Sequence, residues 1–162
     1  MKNKSNHLRP ILNRNNKNKI INDPIYGFIA ISDDFIFDII EHPFVQRLRR
    51  ISQLGLSHLV YPGAIHTRFQ HVLGAMHLMV QAVSVLKRKG HEITAEEERG
   101  VLLAILLHDI GHGPFSHALE FDIVNSVSHE DISAFFIQRL EREFGSDLQM
   151  ALNIFENKHG KP

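Results

Sequence analysis

The stretch LLHDIGHGPFSHALE (106–120) places three histidines and an aspartate within fifteen residues, entering from an aliphatic run and leaving across two glycines and a proline. His108 and Asp109 stand side by side where the aliphatic run ends. An ionised carboxylate buried beside an imidazole is costly unless it is paired or binds a cation. Adjacent helical side chains diverge by about 100°, yet both can reach one ion placed just off the helix end. Imidazole nitrogen and carboxylate oxygen are ligand types that suit zinc, iron or manganese.

The surroundings strengthen a dipeptide that says little alone. Eight of the twelve histidines fall between residues 66 and 129. HTRFQH (66–71) puts Arg68 and His71 three residues apart, on one helix face. Gly111 and Gly113 permit a sharp turn after the His-Asp pair and Pro114 stiffens the exit. Such a turn aims His112 and His117 back toward the helix end. His71, His108, His112, His117 and His129 are therefore read together as a site, whereas His77 and His91 are read as ordinary surface or core histidines.

The elements that must hold these residues are mostly helical. IINDPIYGFIAIS (20–32) alternates β-formers around Asp23-Pro24 and Gly27 and reads as a short hairpin. DDFIFDIIEH (33–42) has acids in its first turn and is stopped by Pro43. FVQRLRRISQLG (44–55) predicts a helix ending on Gly55. After a Pro-Gly loop at 56–66, a long helix is expected over about 67–89, with Val72, Met76, Met79, Val80, Val83 and Leu86 as its stripe. Thr94 and Glu97 form a capping box that opens a helix through the almost wholly apolar VLLAILLHD, the expected centre of the core. Ser128 caps a helix near 129–143, and Ser146 with Gln149 starts another. The expectation is an all-α bundle with a small N-terminal β-hairpin.

Length and composition set the frame. With 162 residues, 43% hydrophobic and 22% charged, the chain can bury a core as one domain. The absence of cysteine excludes disulfides, thiolate metal sites and cysteine nucleophiles. No apolar run approaches eighteen residues and no signal-peptide pattern is present, so a cytoplasmic protein without a membrane partner is expected. Residues 1–19 carry six basic residues and no acid, balanced by the rest of the chain. They read as a solvated, disordered tail; lacking aromatics, they give no basis for expecting nucleic acid as a partner.

H-x-R-F-x-H followed by H-D-x-G-H-G-P-F-S-H resembles the HD-domain phosphohydrolases, and within them the deoxynucleoside triphosphate triphosphohydrolase branch (dGTPase-like enzymes and the vertebrate SAM-and-HD-domain dNTPase). NDPIYG (22–27), PFVQRLRRISQLG (43–55) and YPGAIHTRFQHVLG (61–74) are similar to further motifs of that branch, in the same order. The resemblance covers 20–143 and implies the N-terminal part of an HD-domain helical bundle over 20–162.

For matching positions it implies roles. His71, His108 and Asp109 would be metal ligands for iron, manganese or zinc, with magnesium on the triphosphate. His112, His117 and His129 would line the phosphate site, His117 as proton donor to the leaving 5′-oxygen and Glu120 orienting a histidine where the branch has aspartate. Arg68 would hold the triphosphate, and Gln53 with Leu54 the deoxyribose. Gln70 stands where the branch has glutamate. Arg47 and Arg49 match a helix linked in relatives to a regulatory nucleotide, and relatives form homo-oligomers.

The branch's fourth ligand is a downstream aspartate in a D-x-D-R-x-D-Y-like segment, which the sequence does not reach. Asp131 and Asp147 lack that context and read as helix-cap residues. The expected reaction is dNTP plus water giving deoxynucleoside and triphosphate. The alternatives are an HD phosphatase or phosphodiesterase on another nucleotide, or a nucleotide-binding module impaired by an incomplete ligand set.

Overall fold

The computed structural model of the chain describes residues 19–115 and 128–156. The hairpin forms as expected. Strands β1 (Lys19–Asp23) and β2 (Gly27–Ile31) pair antiparallel with Ile21 opposite Ile29. Asp23 Oδ1 closes the turn by accepting from the Ile25 and Tyr26 amides at 2.8 and 3.0 Å. Ile29 and Ile31 are buried while Ile20 and Phe28 face outward, as the two-residue period of a strand requires.

Helix α1 (Asp34–Glu41) is capped by Asp33, which accepts from the Phe35 and Ile36 amides. Pro43 opens a second short helix, α2 (Pro43–Gln46), which tightens into a 3₁₀ turn over Arg47–Arg50. The helix expected to run to Gly55 stops there instead. Ile51 is extended, and Ser52 bridges Thr67: the Gln53 amide donates to the His66 carbonyl and the Arg68 amide to the Ile51 carbonyl, at 3.0 and 2.9 Å. These backbone bonds to a distant segment outcompete the local helix. They also tie Gln53 to the start of the next helix.

That helix, α3 (Arg68–Arg88), begins with a capping box in which Thr67 accepts from the Gln70 amide and the Gln70 side chain accepts from the Thr67 amide. Phe69, Val72, Leu73, Met76 and Val83 are buried, but Val80 and Leu86 are exposed, contrary to the predicted stripe. The outer face of α3 is apolar too, with Leu78 and Val85 also exposed, so spacing could not separate the two faces. Length and composition alone would let α3 cross a membrane; packing of its inner face on α4 accounts for part of that apolarity.

Helix α4 (Ala95–Leu107) has the predicted Thr94–Glu97 box and packs against α3 and against the last helix, with Leu103, Leu106 and Leu107 wholly buried. Ser128 and Asp131 form a third capping box for α5 (His129–Phe144). Ser146 and Asp147 do not cap the last helix: they lie in a 3₁₀ turn, Ser146–Leu148, without a side-chain cap, before α6 (Gln149–Phe155). The core is one continuous cluster of the hairpin's inner face and the buried sides of the helices. The described part is thus the all-α bundle with a β-hairpin that the sequence predicts.

Candidate metal centre

The site forms where α4 ends. His108 is the C-cap of α4, and its Nδ1 donates to the Ile105 carbonyl at 2.6 Å. That bond fixes the tautomer and leaves Nε2 as a lone pair aimed outward. His71, in the first turns of α3, places its Nε2 3.3 Å from His108 Nε2. Asp109 Oδ1 is 3.2 Å from His108 Nε2, and Oδ2 is 3.7 Å from His71 Nε2. One ligand atom from each of the three residues falls within 4.8 Å of the others. The His108 lone pair and the Asp109 carboxylate, both acceptors, thus face the same point as His71 Nε2. The donor set fits a divalent metal, which His71, His108 and Asp109 would hold in place of a shared proton.

Electrostatics favour the ligand forms. Burial works to raise the Asp109 pKa. The His112 hydrogen bond and the charges of His108, His112 and Arg68 outweigh it and hold the carboxyl well below the usual carboxylate range. Burial lowers the pKa of His71, more than Asp109 raises it, and the same holds for His112. Both imidazoles are therefore neutral at neutral pH, as metal coordination requires.

Arg68 lies one turn before His71 and is 2% exposed. Its Nη1 donates to Asp109 Oδ2 at 2.7 Å. The structure therefore brings Arg68 and His71 to one carboxylate, as their shared helix face predicts. His112 Nε2 sits 3.4 Å from Asp109 Oδ1, and its ring stacks on His129 with centroids 4.0 Å apart and planes 18° apart. His129 Nε2 is 3.1 Å from Glu130 Oε1. The glycine turn does aim His112 back at the helix end. His117 and Glu120 lie outside the described residues.

Gln53 is bonded to the His66 carbonyl beside the Ser52–Thr67 bridge, and its Oε1 is buried without a hydrogen-bond partner among the described residues. Leu54 is half exposed next to it. Gln70, whose meaning the sequence left open, is the capping-box residue of α3 and so helps set the start of the helix that carries Arg68 and His71.

The role of Arg47 at this turn, and Ser133 altogether, are not read from the sequence. Arg47 Nη2 donates to the Ile110 carbonyl and its guanidinium lies over Phe136, 5.4 Å from the ring centre. Arg49 lies over Phe69 at 3.7 Å and donates to Gln46. Both arginines therefore have partners within the fold. Ser133, wholly buried on α5, accepts from the Gly111 amide at 2.9 Å and donates to the His108 carbonyl at 3.0 Å. The available signal was its position one turn after His129, on the same face. Gly111 is needed for this approach: a Cβ there would fall 2.3 Å from the His129 carbonyl oxygen and 2.5 Å from the Ser133 nitrogen.

A buried helix that ends in a histidine-aspartate pair, met by a histidine from the preceding helix, defines a class of metal-binding helical domain. The HD-domain family profile matches residues 68–162, and the chain belongs to the HD-domain family. It is 53% identical to a phosphohydrolase of Bacteroides thetaiotaomicron whose crystal structure superposes with a TM-score of 0.86, over 89% of this chain and 36% of that one. It is 35% identical over 154 residues to the deoxynucleoside triphosphate triphosphohydrolase SAMHD1 homolog of Dictyostelium discoideum, 87% of this chain and 30% of that protein. With human deoxynucleoside triphosphate triphosphohydrolase SAMHD1 it shares 47% identity over 105 residues, 63% of this chain and 16% of that protein. The chain thus spans about a third or less of the length of these relatives.

Proposed function

We propose that the protein is a metal-dependent phosphohydrolase that cleaves deoxynucleoside triphosphates to deoxynucleoside and triphosphate. The observation that carries this reading is the convergence of His71, His108 and Asp109 on one point, with the Arg68 guanidinium beside it. A divalent cation there supplies Lewis acidity at the phosphate and lowers the pKa of a coordinated water.

The chain's own residues do the rest. Asp109, held ionised, and the neutral His71 would hold the cation together with His108. Arg68 places a buried positive charge against the anionic centre, where a triphosphate bearing about four negative charges needs counter-charge. Gln53 offers a buried acceptor to a ligand donor such as a sugar hydroxyl. In the reaction, water oxygen bonds to the α-phosphorus, the bond from that phosphorus to the 5′-oxygen breaks, and the leaving oxygen takes a proton. The stacked His112–His129 pair lies beside Asp109, and His117 is assigned the proton by resemblance. The names of the Dictyostelium and human relatives support a deoxynucleoside triphosphate as the substrate.

The test is metal content together with triphosphate release from a panel of dNTPs, with His108→Ala as control. Stoichiometric metal and release that His108→Ala abolishes are expected. Nucleotide binding without turnover in the metal-loaded chain would support a binding module instead. Phosphate release from other nucleotides alone would point to a different HD phosphatase or phosphodiesterase.

A further inference from the structure

The backbone of the metal-ligand turn is gripped from outside its own helix. Helix α4 ends at Leu107, where the last carbonyls of any helix lack intrahelical partners. The His108 carbonyl is satisfied by the Ser133 hydroxyl, whose oxygen in turn accepts the Gly111 amide. One buried hydroxyl therefore closes the turn that presents His108, Asp109 and His112. It also ties this turn to α5, four residues from His129. Arg47 holds the Ile110 carbonyl from the opposite side in sequence. Gly111 makes the contact close enough for these bonds to form.

We infer that Ser133 is a positioning residue for the metal centre: its hydroxyl sets the backbone of the His108–Gly111 turn and couples the ligands on α4 to His129 on α5. This rests on the reading of His71, His108 and Asp109 as a metal site. The bonds of the Ser133 hydroxyl go to backbone, not to a ligand side chain: it acts through the His108 carbonyl and the Gly111 amide. Outer-shell partners that orient ligands typically change metal affinity by roughly 10–100-fold when removed. Loss of the hydroxyl frees the turn to relax, so the cost falls on metal binding more than on the fold as a whole.

The experiment titrates the purified, metal-stripped chain with manganese and with zinc, by calorimetry or a competing chelator dye. The chains compared are the parent, Ser133→Ala and Ile137→Val, the last a control that trims a buried side chain of α5. Thermal unfolding is recorded for each. The expected result is a metal affinity lowered roughly tenfold or more in Ser133→Ala and unchanged in Ile137→Val. Ser133→Thr, which keeps the oxygen, should recover affinity over Ser133→Ala. Equal affinity in parent and Ser133→Ala would overturn the inference while leaving the metal site intact. So would failure of Ser133→Ala to fold where Ile137→Val folds, because Ser133 would then be a strut of the fold. Absence of metal binding in the parent would instead defeat the underlying reading of the site.

Discussion

The two ends of α4 are closed in opposite ways. At the N-terminal end, Thr94 and Glu97 satisfy each other's backbone within three residues, in water, and Lys87–Glu98 and Arg99–Asp33 ion pairs lie on the surface nearby. At the C-terminal end the local bonds, such as that from His108 Nδ1 to the Ile105 carbonyl, are joined by groups from elsewhere: Arg68 and His71 from α3, Arg47 from the turn after α2, Ser133 from α5. The first end is built to stop a helix. The second holds a carboxylate and imidazoles out of water in a fixed relation, which local bonding cannot do. Buried polar groups there depend on each other, so damage should spread at one end and stay local at the other.

The largest expected contrast comes from Arg68→Met. It leaves the Asp109 carboxylate buried without its guanidinium, and breaking a buried pair in this way costs about 3–5 kcal/mol. Urea unfolding of the metal-free chain should show that loss. Saturating manganese should restore part of it, since a bound cation again neutralises Asp109. Lack of any such restoration would separate Asp109 from metal binding. Gly111→Ala should come next. Its Cβ would overlap the His129 carbonyl and the Ser133 amide, and the forced shift should cost about 1–3 kcal/mol. Metal affinity should fall with it, because the turn and α5 can no longer meet. A variant that loses stability but binds metal like the parent would show that the ligands tolerate a displaced turn.

This contrast also explains what the sequence could and could not tell. Thr94–Glu97 and Ser128–Asp131 are legible because both partners of each bond sit three residues apart in a pattern with one physical meaning. Arg68, His71, His108 and Asp109 were legible because helical spacing and a costly buried pair single them out, and a family resemblance supplied their company in ordered motifs. The end of the helix after α2 was not legible, because its competitor, the Ser52–Thr67 bridge, forms with a segment fifteen residues on. Ser133, and the grip of Arg47 on the turn, were not legible for the same reason. A serine and an arginine acquire their roles only when the fold brings Gly111 and Ile110 against them.

At the other end of α4, Thr94→Ala should cost about 1 kcal/mol, the usual worth of an N-cap hydroxyl. Metal affinity should not change, because no bond at that end reaches the ligands. A change in affinity would mean that α4 transmits strain along its length and that its two ends are less independent than their bonding suggests.

The smallest effect expected is in pH, and it too should distinguish the ends. Burial holds the His71 and His112 pKa values below the ordinary histidine value in the folded chain. Unfolded, both titrate near about 6.5. Below that pH the unfolded chain binds protons that the folded chain refuses, so stability falls with pH. The contribution is complete above the unfolded value and drains away as pH drops toward the lowered folded values. Asp109 does not interfere in this window: its depressed pKa confers stability that is present above the ordinary carboxylate range and lost only in stronger acid. The melting temperature of the metal-free chain should therefore fall modestly from about pH 7.5 to about pH 5.5. His71→Gln removes one of the two groups and should flatten part of that slope, whereas Thr94→Ala should lower the whole curve and keep its steepness. An equally steep curve in His71→Gln would break the assignment of the titration to the C-terminal end, because the desolvated imidazole at α3 would then contribute nothing to it.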